Sequence, residues 1–322
     1  MAVDHYVPQF LLKNFSVDPN KPQVWAYDKS TGRSFKTNIR NIAAEKDFYR
    51  LEVGGRTLSL EEGLSTLEDK TAAIIQRIIG ARSIGGLSDD DRIVIAVFVA
   101  VQMRRGPNSR AHIQALGEAV RATLSERGFD VGSINKVAPE MLSDDAKAIS
   151  ILSLTDSQEF VPYILDKVWV LFETSPTAPL YISDNPIGLQ NLVQKATPIY
   201  GNLGLGVTGI EVYLPLSSTL SLAFYCRSHE QVIREAVDRM RSAIIRSPHH
   251  ESMRLGELLD WMRAFRKGTP MTLQPPHVLN QNSLQVRQAE RYVYSSQPDF
   301  TLVEDMISNQ PRYRTGPRPR VF

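Results

Sequence analysis

Ser88 is followed by Asp89, Asp90, Asp91 and Arg92, and then by IVIAVFVAVQMRR. This stretch constrains the fold more than any other. A serine ahead of three acids marks a helix start: its hydroxyl accepts an otherwise unpaired N–H, and the acids sit at the positive end of the helix dipole. From Ile93 to Val101 there is no polar residue on any face, so the element must be covered on most sides. A helix packed among other helices is the first reading. A buried strand also suits the β-branched Ile93, Val94, Ile95 and Val97. The run of nine residues is roughly half a membrane span. Gly106-Pro107 then kinks or ends it.

Helical spacing recurs on both sides. Leu64, Leu67, Thr71, Ile74, Ile75 and Ile78 fall on one face, and residues 109–127, 146–165, 229–245, 251–266 and 277–290 follow as further helices. Strand signals come in separate groups. VWAYD and RSFKT flank KSTG, and DFYRLEV and RTLSL flank Gly54-Gly55, which reads as two hairpins. KVWVLFET is expected to pair with PLYIS, and EVYLPLS with TLSLAFYC, joined by a glycine-rich connection over 187–209. GTPMTLQPP reads as a linker and RYVYSS as a late strand. Because strands and helices are segregated, the expected class is α+β, a central helical block with separate small antiparallel β regions. Residues 1–296 form the expected single domain, and 297–322 a C-terminal extension ending in an Arg/Pro-rich tail.

Composition excludes several classes. Hydrophobic residues are 42% and charged residues 22%, which is globular rather than disordered. Cys226 is the single cysteine, so neither an internal disulfide nor a cysteine zinc site is available, and a place at a strand end is expected. The net charge is +2, and without Arg312, Arg314, Arg318 and Arg320 of the tail the body carries about −2. That disfavours a broad duplex-DNA footprint and leaves room for a local phosphate pocket. The tail reads as solvated and disordered. No apolar leader with a small-residue cleavage site is visible, so the reading is a cytoplasmic chain without a membrane span.

Five residues stand out as site candidates. His5 rides on an extended HYVP stretch, since proline biases Val7 away from helix, and imidazole titrates near neutrality. Glu68 falls on the apolar side of its helix, where a carboxylate must be paired, metal-bound or protonated. Gln102 and Arg105 lie three apart at the end of the apolar run, an amide and a guanidinium suited to a phosphate or carboxylate. Asp184 follows a strand in LYISDNP, where strand ends often carry chemistry. Ion pairing, with Glu68 joined to Arg105, and ordinary turn formation at Asp184 are the competing structural readings.

Other matches are weaker. Gly204, Gly206 and Gly209 spell GxGxxG but lead into a strand rather than a helix. Arg105 and His112 have the spacing of some helical ribonucleases, interrupted by Gly106-Pro107. His249, His250 and Glu251 are adjacent at a helix start.

HYVPQFLLKNF, FVAVQMRR, LYISDNP, YLPLS and SLQVRQAERYVYSS together resemble the family catalogued as domain of unknown function 4238, over residues 4 to 295. The resemblance implies one domain of about this length and supplies no established activity. His5, Gln102, Arg105 and Asp184 fall inside the resembling blocks. The residues then suggest a hydrolase of phosphodiesters or nucleotides, with His5, Glu68 and Asp184 catalytic and Gln102 and Arg105 holding substrate. His5 and Asp184 would bind any divalent metal, Mg²⁺, Mn²⁺ or Zn²⁺. Nucleic acid or nucleotide would be the partner, and the family's bacterial distribution suggests a defence or toxin effector. The alternative is a non-catalytic binding module in which the same groups form a buried polar network pinning the N-terminal arm.

Overall fold

The computed structural model describes residues 3–16, 18, 20–53, 56–130, 146–193, 201–246 and 252–318. The apolar run is a helix, α3 (Asp89–Arg105). Ser88 Oγ accepts the Asp91 N–H at 3.1 Å, and the Asp91 carboxylate accepts the Ser88 N–H at 3.0 Å. This reciprocal cap satisfies donors that only a helix start exposes, and it decides between helix and strand. The first turn is open, with Ile93 45% exposed, whereas Ile95, Phe98, Val99 and Gln102 are buried. Against it lie α2 (Glu61–Ala81), α4 (Pro107–Glu126), α5 (Ala146–Thr155) and the short α6 (Val161–Leu165). Gly106 is extended, and Pro107 takes the first turn of α4, where its missing N–H costs nothing. Arg105 and His112 therefore sit on different helices.

The strands form separate sheets. β1 (Val3–His5) pairs with β4 (Ala44–Lys46), and β5 (Arg50–Val53) with β6 (Arg56–Ser59). An antiparallel sheet runs β3 (Arg33–Asn38), β2 (Gln23–Asp28), β13 (Tyr292–Ser295), β8 (Ile182–Ser183). A larger sheet runs β12 (Met271–Thr272), β7 (Val168–Glu173), β11 (Leu220–Tyr225), β10 (Ile210–Ser217), β9 (Gly188–Asn191). The fold is α+β, and both expected hairpins are present.

Four expectations are corrected. PLYIS does not pair with KVWVLFET: β7 pairs with β11, and β8 crosses to β13 in the other sheet. Its backbone is held there by non-local partners, the Tyr181 N–H donating to Asn282 Oδ1 at 2.7 Å and the Asp184 N–H to the Tyr292 carbonyl at 3.0 Å. The 187–209 connection contains β9, and the linker contains β12, which pairs parallel with β7. The tail is docked as far as Arg318, which pairs with Glu290, while Arg314 reaches the Lys29 carbonyl.

Strand β10 is buried along its whole length. Val212, Leu214 and Leu216 join the main core, and Glu211 and Tyr213 alternate with them onto the opposite face. Gly209, just before β10, has φ +83°, and a Cβ there would meet Val193 Cβ at 2.6 Å, so the GxGxxG match is turn chemistry. A second cluster, including Tyr181, Val293, Phe300, Val303 and Ile307, lies under the helix Thr301–Asn309. Cys226 is half-buried at the end of β11. Among the described residues no helix is long and apolar enough to cross a membrane.

Candidate functional site

Residues 3–8 form an arm over the C-terminal end of α3. β1 pairs with β4, and Pro8 starts the short helix α1 (Gln9–Lys13). Two side chains of α3 hold the arm by its backbone. Gln102 Nε2 donates to the Tyr6 carbonyl at 2.7 Å, and Arg105 Nη2 donates to the His5 carbonyl at 2.7 Å. Arg105 Nε donates to the Tyr49 hydroxyl at 2.8 Å, and Nη2 also meets Glu68 Oε1 at 2.5 Å. Tyr49 extends the tie, its N–H donating to Asp4 Oδ2 at 3.0 Å. Arg105 thus joins the arm, α2 and the β4–β5 segment through one guanidinium.

Beside this knot is a cavity of about 490 Å³ lined by Asp4, His5, Tyr49, Glu61, Glu68 and Arg105 among others. Its electrostatics are acidic. Asp4 is buried, and its side chain, acting on Glu61 across the cavity, lifts the Glu61 carboxyl to about 7, with burial adding to the effect. A negative charge nearby disfavours ionising a second carboxyl, so Glu61 keeps its proton to a higher pH than an isolated glutamate. Burial also raises Glu68 above the ordinary carboxylate range, against the pull of Arg105. Burial lowers the His5 imidazole below its ordinary value, opposed by the Arg40 and Ile39 carbonyls. His5 Nδ1 lies 3.4 Å from the Gln9 amide. At neutral pH the cavity therefore joins a neutral imidazole to a carboxyl that titrates where it can both give and take a proton.

Of the five residues singled out in the sequence, His5, Glu68 and Arg105 line this cavity; Gln102 and Asp184 do not. Gln102 is fully buried, with its amide on Tyr6. Asp184 is also buried, and it ties the turn after β8 to the start of β13. Its Oδ1 accepts the Glu290 N–H, and its Oδ2 accepts those of Arg291 and Tyr292, all at 2.7 Å. Burial pushes its pKa up to about 6 against these three donors. Asp184, expected to share a metal with His5, does not line the cavity that His5 lines, and its carboxylate is taken up by these backbone donors. Among the described residues no group of three or more His, Cys, Asp or Glu is arranged to hold a metal ion. His249, His250 and Glu251 lie outside the described residues.

Sequence reasoning missed Asp4, Tyr49 and Glu61. Asp4 precedes His5 on a strand whose partner is 40 residues on, so its inward face had no local signal. Glu61 reads as an ordinary first-turn acid of α2.

The model of the family described as "Protein of unknown function (DUF4238)" matches residues 4–299. The chain belongs to this family. No curated protein and no solved structure matches. The match begins at Asp4 and so includes the arm and every residue of the cavity named above.

Proposed function

We propose that the arm cavity is an acid–base site for hydrolysis, with Glu61 and His5 moving protons, Asp4 holding Glu61 protonated, and the Glu68–Arg105 pair fixing the arm. The observation that carries the reading is that Asp4, Glu61 and His5 line one open cavity, where Asp4 raises the Glu61 carboxyl and burial lowers the His5 imidazole. A carboxyl that titrates near the working pH is the best compromise between being protonated and releasing its proton, an effect worth about 10²–10⁴-fold in rate. The substrate class read from the sequence, a phosphodiester or nucleotide, brings negative charge into a cavity that already carries Asp4, Glu61, Glu68 and Asp69. It would need a divalent cation travelling with it to offset that repulsion.

The test is hydrolysis of bis(p-nitrophenyl) phosphate and of nucleotides, without and with Mg²⁺, Mn²⁺ or Zn²⁺. Turnover by the wild type that falls at least about a hundredfold in Glu61→Gln, with an unchanged melting temperature, supports the reading. Wild-type turnover that survives Glu61→Gln, or none with any ion, counts against it.

A second reading has its own observation. The donors of Gln102 and Arg105 are taken up by the arm's carbonyls rather than offered to a ligand. In that case the polar cluster is a lock, and the protein is a binding module. An inactive wild type whose His5→Ala variant melts early would favour it.

A further inference from the structure

A second cavity, of about 730 Å³, opens on the face of the larger sheet that carries Glu211 and Tyr213. It lies under two helices, α7 (Arg227–Arg246) and α8 (Ser252–Lys267), and shares no residue with the arm cavity. On its floor is Glu211, 5% exposed. Glu211 Oε2 accepts from the Tyr213 hydroxyl at 2.6 Å and from Gln190 Nε2 at 2.5 Å. The Tyr213 hydroxyl also bonds that of Tyr225 at 2.8 Å, and Asn280 Nδ2 donates to Gln190 Oε1 at 3.1 Å, so the side chains that bond Glu211 Oε2 are themselves held in place.

Glu211 Oε1 is different. Its nearest cationic candidate is His229 Nε2 at 3.6 Å, and that nitrogen lies 3.2 Å from the Gly209 carbonyl. Among the described residues no lysine or arginine pairs with Glu211. Among the described residues of the lining the one arginine, Arg263, is paired with Asp260 at 2.9 Å, and Glu257 adds a further acid. A buried carboxylate without a cation is costly in free energy, and the cost falls when a cation arrives.

The walls suit such a cation. Trp261 from α8 stands edge-on to Tyr225 at 5.5 Å and to Phe172 at 5.7 Å, and Tyr225 stands edge-on to His229 at 5.2 Å. Phe172, Tyr225 and Trp261 all line the cavity, and aromatic rings within reach of a bound cation attract it. The volume is that of a small-molecule site.

We propose that this cavity binds a small organic cation, a protonated amine carried on an apolar or aromatic body, with the ammonium on Glu211 Oε1 and the body against Trp261. This is independent of the hydrolytic reading, because the two cavities have no residue in common.

The test uses phenethylamine and its neutral counterpart 2-phenylethanol, with binding followed by calorimetry on the full chain. The amine should bind at least tenfold more tightly than the alcohol. Glu211→Gln, which keeps the size of the side chain, should erase that preference. Trp261→Leu, which leaves the carboxylate network untouched, should weaken the amine about threefold or more, and it carries the test alone if Glu211→Gln fails to fold. Equal binding of amine and alcohol would overturn the proposal. So would amine binding that both variants leave unchanged, or no amine binding at millimolar concentration.

Discussion

Arg105→Met removes the guanidinium that joins the arm to α2 and keeps most of the aliphatic bulk. Three partners lose a donor: the His5 carbonyl, the Tyr49 hydroxyl and the Glu68 carboxylate. Breaking a buried pair by removing one member costs about 3–5 kcal/mol. Glu68 keeps 24% of its side chain exposed, which screens its share, so the lower end, about 3 kcal/mol near pH 8, is expected. For a chain of this size that is a fall in melting temperature of about 6 °C, at about 2 °C per kcal/mol. The pH dependence is the sharper signature. Burial leaves Glu68 with a higher pKa in the folded chain than in the unfolded one. Its contribution is therefore whole below the unfolded carboxylate range and is lost as pH rises through the folded value. Arg105 limits that loss. Without Arg105 the folded pKa climbs further and the loss deepens, so the variant recovers part of its deficit near pH 5. Urea melts at the two pH values read both effects. A deficit below about 1 kcal/mol at pH 8, or one independent of pH, would refute the claim that Arg105 is the knot of the arm.

Asp184→Asn should cost about 2–3 kcal/mol in urea melts, because an amide can accept only part of the Glu290, Arg291 and Tyr292 N–H set and turns a donor toward the rest. A variant within about 0.5 kcal/mol of wild type would show the turn is held by other contacts. Ser88→Ala removes the reciprocal cap of α3 and should cost about 1 kcal/mol, with amide exchange quickening first at residues 89–92. Unchanged exchange there would contradict the role given to the cap.

What was legible in the sequence followed from local chemistry. The Ser88–Asp91 cap, the 64–78 stripe and the two hairpins each carry their evidence within a few residues, and each is present. β8 was misassigned because its partner, β13, lies more than a hundred residues away and local sequence does not report such pairing. The two-residue β12 is too short to show a period. At the arm, a lone polar group on an apolar face gave Glu68, and the end of the apolar run gave Arg105. Their joint hold on the His5 backbone needed the fold. The second cavity did leave a trace. In EVYLPLS, Glu211 and Tyr213 alternate with Val212 and Leu214, so a carboxylate shares a strand face with an aromatic in an otherwise buried strand. Tyr225 lies opposite Glu211 in register, which only the pairing of β10 with β11 reveals.

The central claim is that the arm cavity handles protons rather than only fastening the arm. Its most direct measurement is the titration of the Glu61 carboxyl by carbon-detected NMR, in the wild type and in Asp4→Asn. The account predicts a wild-type midpoint of about 7, falling toward the ordinary glutamate range of about 4.3 when the Asp4 charge is removed. A wild-type Glu61 that titrates in the ordinary range would contradict it, because no carboxyl able to give and take a proton near neutrality would then share the cavity with His5.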